Sequence, residues 1–124
     1  MAIHDERRLK FGIDAVMSCL RGAGAAGHVL NLPSGDLDRA LLVPGTQTVE
    51  ARFTVREGGN IRTVSSHLTS PQIAALLISY CVSLRIPLPR KSAKRIMIDS
   101  SNVTITFEQT IDVGGAALPS NGTT

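Results

Sequence analysis

From Thr48 onward apolar and polar residues alternate. Val49, Ala51, Phe53 and Val55 are apolar, while Glu50, Arg52, Thr54 and Arg56 are polar, the period of a strand with one buried face. Gly58-Gly59 then supply the positive φ angles of a two-residue hairpin turn. With those glycines central, Val55 faces Arg62, Phe53 faces Val64, Ala51 faces Ser66 and Val49 faces Leu68, so the apolar residues share one side. A second hairpin follows the same logic. Ile96 and Ile98 alternate inward, Asp99-Ser100-Ser101-Asn102 favours a turn, and Val103, Ile105 and Phe107 return. Ile98 then faces Val103, and Ile96 faces Ile105.

Between the hairpins, Thr69-Ser70-Pro71 offers a capping hydroxyl followed by a proline at the first helical position. Ile73, Leu76, Leu77, Tyr80, Cys81 and Leu84 form a broad apolar face, and Ala74, Ala75, Ile78 and Val82 leave little that is polar. Such a helix is buried on most sides. Pro87 and Pro89 end it, and Ile86–Pro89 should run extended. Residues 49–112 are therefore expected to form a two-hairpin core around one buried helix.

The N-terminal third carries a different period. Leu9, Ile13, Val16, Met17 and Leu20 make one helical stripe, Asp5 can cap it and Gly22 can stop it, which predicts a helix over residues 5–21. Residues 22–46 are an irregular, Gly- and Pro-containing loop region, with a short extended piece at His28–Leu32 and a brief helix from Ser34 or Asp36 through Leu42. The order is helix, hairpin, helix, hairpin. The expected fold is α+β, a four-stranded, mainly antiparallel sheet with both helices on one face. Residues 1–112 make one domain, and residues 113–124, mostly Gly, Ala, Ser, Asn and Thr, are expected to be a disordered tail.

Composition agrees with one globular domain. The chain has 124 residues, 43% hydrophobic and 19% charged. Its longest apolar run, Ile73–Ile78, is far too short to cross a bilayer. Arg7, Arg8 and Lys10 precede an apolar segment, but Asp14 interrupts it, so the reading is a mature N-terminus, a cytoplasmic protein and no membrane partner. Cys19 and Cys81 each lie in an apolar face and read as buried free thiols, with a disulfide or redox pair as the alternative.

Chemistry is sparse. Residues 22–27 spell GxGxxG, but a dinucleotide site needs a preceding strand and a following helix. Here a helix precedes and Pro33 follows closely, so a helix stop and flexible loop is the better reading. Ser65 and His67 share a strand face, yet no acid stands at a recognisable interval, and His4 and His28 are isolated. No catalytic residue, metal site or cofactor is expected.

Charge is the best functional clue. From Gly58 to Ile98 there is no acid, while Arg62, Arg85, Arg90, Lys91, Lys94 and Arg95 all fall there. The segment 85–95 is a candidate anion or nucleic-acid contact through Arg85, Arg90, Lys91, Lys94 and Arg95. The alternative is a solvated connection whose cations answer Glu50, Glu57 and Glu108. A net charge of +3 makes this a patch rather than a basic protein. There is no Trp, Phe53 and Phe107 point into the core, and the outward sheet surface of Arg52, Thr54, Arg56, Thr104 and Thr106 could grip phosphates but not stack bases. Three functions are weighed. The first is a non-catalytic, self-associating protein-interaction domain, a homodimer that also binds another protein. The second is a phosphate-backbone binding module using 85–95, and the third a small enzyme or ligand-binding protein.

Overall fold

The computed structural model describes residues 2–22, 32–33, 35–89 and 92–112. Its elements run β1 (Ala2–Gly12), α1 (Ile13–Arg21), β2 (Asp36–Val43), β3 (Thr48–Glu57), β4 (Asn60–Thr69), α2 (Ser70–Ser83), β5 (Ala93–Ile98) and β6 (Asn102–Asp112). They form two three-stranded antiparallel sheets, β1-β6-β5 and β2-β3-β4. The expected single four-stranded sheet is wrong, and so is the helix-first order. Two strands hidden from the sequence pattern, β1 and β2, change the architecture.

Both hairpins carry the expected register. Val55 faces Arg62, Phe53 faces Val64, Ala51 faces Ser66 and Val49 faces Leu68. Gly58 and Gly59 hold φ of 54° and 84°, the left-handed conformations that make glycine the natural pair in this turn. In the second hairpin Ile98 faces Val103 and Ile96 faces Ile105. The Asp99 carboxylate accepts from the Ser101 and Asn102 N–H groups, both at 2.7 Å, which fixes the turn and holds that carboxyl below its usual value. At α2 the Thr69 hydroxyl accepts from the Gln72 N–H while the Gln72 side chain accepts from the Thr69 N–H at 2.9 Å, a complete capping box.

The N-terminal helix is half as long as expected. Residues 2–12 are strand, and the helix begins at Ile13 with Val16, Cys19 and Leu20 buried. The brief helix expected up to Leu42 is also a strand. In β2, Ala40 is buried opposite Ala51, and the pairing shifts at Leu37/Arg39. That shift is a bulge, which breaks the alternation a strand would otherwise show. Gly35 opens β2 where a Cβ would lie 2.4 Å from the Thr54 carbonyl oxygen, so the close approach needs a glycine. His28–Asn31, most of the GxGxxG run and the tail 113–124 lie outside the described residues.

The two halves have the same plan. β1-α1-β2-β3 is followed by β4-α2-β5-β6, each a strand, a helix and a hairpin. Phe11, Val16, Cys19 and Leu20 recur at one constant interval as Leu68, Ile73, Leu76 and Leu77, and all eight are buried. Val49, Ala51 and Phe53 correspond likewise to Val103, Ile105 and Phe107. The halves exchange their first strands. β1 joins the hairpin of the second half, and β4 joins that of the first. Within each sheet the matched positions even share register: Phe11 faces Val103 as Leu68 faces Val49.

The core closes because each helix reaches the sheet its own strand does not belong to. α1 follows β1 yet packs on β2, and α2 follows β4 yet packs on β5. Val103, Ile105 and Phe107 on the central strand β6 are almost fully covered, as are Val49, Ala51 and Phe53 on β3. Full burial of each large side chain contributes roughly 1.5–3 kcal/mol.

One polar side chain joins the two sheets. Gln47 closes the β2–β3 turn at a φ of 53°. Its amide donates to the Ile98 carbonyl at 2.7 Å and accepts from the Ile98 N–H at 2.8 Å, standing in for a strand partner at the end of β5. Its own carbonyl accepts from the Ser70 hydroxyl at 2.6 Å, at the start of α2. Replacing Gln47 by Ala leaves both main-chain groups of the buried Ile98 without this partner. Urea unfolding of Gln47→Ala should show a loss of about 2–3 kcal/mol; a loss within error of zero contradicts the clamp.

Candidate functional site

The basic segment divides on folding. Arg85 follows α2 in a left-handed conformation, φ 59°, and is exposed. Arg90 and Lys91 lie outside the described residues. Lys94 and Arg95 are neighbours on β5, so they point to opposite faces. Lys94 stands opposite Phe107 and is exposed. Arg95 lies on the outer face of its sheet.

There Arg95 meets acids from both ends of the chain. Glu6 on β1 and Glu108 on β6 are directly opposite one another, a like-charge pair that destabilises two strands unless a cation intervenes. Arg95 supplies one, 2.7 Å from Glu108 and 3.6 Å from Glu6. Arg8 adds a contact of 3.1 Å to Glu6, and His4 approaches Glu108 at 3.9 Å. Sequence reasoning named Arg95 and, among the acids that could answer it, Glu108, but not Glu6. The only signal was strand parity, and it needed β1 to be recognised as a strand.

His4, Glu6 and Glu108 also bring three potential metal-ligand atoms within 4.8 Å of one another. Histidine with two carboxylates is a donor set that zinc accepts. The guanidinium of Arg95 already occupies the negative end of this cluster, so the geometry here is that of an ion-pair network on an exposed sheet face.

The outer face of the other sheet gathers Glu50, Arg52, Ser65 and His67. Ser65 faces Arg52, and His67 faces Glu50. The structure thus supplies the acid that the spacing of Ser65 and His67 lacked. Partial burial works to raise the Glu50 carboxyl, but the hydrogen bond and charge of Arg52, with Ser65 and His67, hold it below the ordinary value. In a nucleophile–base relay the acid orients the histidine. Here Arg52 engages the acid at 3.3 Å and His67 is solvent-exposed, as its parity implied. Both features differ from the arrangement of such a relay.

The expected outward surface is not one surface. Arg52, Thr54 and Arg56 belong to β3, whereas Thr104 and Thr106 belong to β6 in the other sheet, and Thr106 is buried. Phe53 and Phe107 are buried as expected. Gly22 caps the end of α1, so a helix precedes the glycine-rich run.

Both cysteines are buried and unlinked. Burial, and secondarily the neighbouring Cys81, push the Cys19 thiol up to about 11. Burial also raises Cys81, against the opposing charge of Arg7. Arg7 shares the core side of β1 with Leu9 and Phe11, and its guanidinium donates to the Pro87 carbonyl. These are the settings of inert, not reactive, thiols. A folded-state pKa above the unfolded value holds the proton in the native state, so the contribution is complete below about 9 and is lost as pH rises towards 11. The urea midpoint should fall across that window, and Cys19→Ala should flatten the fall; identical slopes in the two proteins contradict the assignment.

Among the described residues no helix is long and apolar enough to cross a membrane. No protein-family model, curated protein or solved structure matches the chain.

Proposed function

We propose that this chain is a small non-catalytic protein-interaction domain that associates with itself. One observation carries the reading. The 22 residues from Thr63 to Leu84, which make most of β4 and all of α2, contain no Asp, Glu, Lys or Arg. Much of that stretch faces water. β4 is exposed along most of its length, and Val82 and Leu84 are 63% and 54% exposed at the end of α2. Uncharged, partly apolar surface is what protein interfaces cover. A twofold contact sets a patch against its own copy, so a patch without charge meets no like charge there.

The basic segment supports the phosphate-binding alternative less well, because Arg95 is held by Glu108 and Glu6. Light scattering across a concentration series separates the two. The expected result is a species of twice 13.2 kDa that persists in high salt. A monomer at every concentration overturns the reading. So does an assembly that requires nucleic acid and dissolves as salt is raised.

A further inference from the structure

Among the described residues each three-stranded sheet has two free edges, and an edge strand invites another strand unless something blunts it. Three of the four edges here are blunted. β1 carries Asp5, Glu6, Arg7, Arg8 and Lys10 within its length. β2 is bulged at Leu37/Arg39 and carries Asp36, Asp38 and Arg39. β5 has only 6 residues, two of them basic.

β4 has none of these devices. It runs for 10 residues, pairs with β3 without a register break and contains no proline. Its one charged residue, Arg62, is held by Glu57 of its own hairpin at 2.7 Å. Ile61 is 66% exposed. Among the described residues, nothing pairs with its outer edge. The matched strand in the other half is β1, the most charged strand of all, so the two corresponding edges differ in charge and not in geometry.

We propose that the outer edge of β4 docks on the same edge of a second copy of this chain, antiparallel, so that two sheets merge into one of six strands. The proposal rests on the self-association reading and names its contact. Backbone geometry sets the register. Glu57 and Asn60 flank the two-residue turn as a hydrogen-bonded pair, so alternation leaves the N–H and C=O groups of Ile61, Thr63, Ser65, His67 and Thr69 pointing away from β3. A twofold axis at Ser65 pairs Ser65 with its copy, Thr63 with His67 of the partner subunit and Ile61 with Thr69 of the partner subunit. It also sets Arg62 against Leu68 of the partner subunit, so no charge meets a charge. Core-facing residues stay on one side of the merged sheet because the paired positions have equal parity. The corresponding contact between two β1 strands would set Arg8 against its own copy.

The test uses the full chain. Ser65→Pro removes an N–H that β3 does not use, so the hairpin keeps its ladder while the added strand loses its central donor. Ser65→Lys is a second variant that sets like charges at the axis. Light scattering should show both weakening the dimer by about tenfold or more. Met97→Lys, on β5 and 61% exposed, should leave it intact. Hydrogen exchange in the wild-type dimer should protect the amides of Ile61, Thr63, Ser65, His67 and Thr69, and release them on dilution to monomer. A dimer that survives both Ser65 substitutions, or one whose five amides exchange freely, overturns the β4 contact while leaving self-association standing. A chain that is monomeric throughout removes both.

Discussion

The fold depends on one long-range pairing, in which the first strand lies along the last. β1 and β6 are matched residue for residue from Ala2–Asp112 to Gly12–Asn102. Without it β6 would be an edge strand, and Val103, Ile105 and Phe107 would lose the cover of Leu9 and Phe11. The same pairing places Glu6 opposite Glu108 and so creates the acidic site that Arg95 occupies. Contacts that span nearly the whole chain require loop closure before they stabilise anything. The exchange of first strands between the halves therefore makes neither half complete alone.

The parts of the fold that were legible are local. In the β3–β4 hairpin, turn residues and alternation agree within twenty residues of chain, and the register followed from both. The α2 cap was legible for the same reason. β1 was not, because Arg7 interrupts the apolar alternation of Leu9 and Phe11 on the core side. Its charge leaves the core by reaching the Pro87 carbonyl, a contact with a distant loop. Meanwhile Leu9, Ile13, Val16 and Leu20 satisfy a helical period across a strand–helix junction. In β2 the bulge at Leu37/Arg39 removed the alternation. Two strands lost from the count turned two sheets into one.

The internal duplication was equally hidden. Matched positions share burial more than identity: Val49 and Phe53 recur as Val103 and Phe107, but Cys19 corresponds to Leu76 and Arg7 to Val64. Packing conserves volume and face, which several side chains satisfy equally well. The cations of the candidate site could be read directly, whereas Glu6 and Glu108 come from opposite ends of the chain. The absence of acids between Gly58 and Ile98 was also plain, but its meaning changes once β4 is known to be an edge. A neutral strand inside a sheet is ordinary; a neutral strand at the rim is an open contact.

The strand exchange is most directly tested by nuclear Overhauser contacts between β1 and β6 in the labelled protein. The account predicts cross-strand contacts of Leu9 with Ile105 and of Phe11 with Val103, and extended chemical shifts over residues 2–12. Helical shifts beginning at Asp5, with no contact between Leu9 and Ile105, would contradict it.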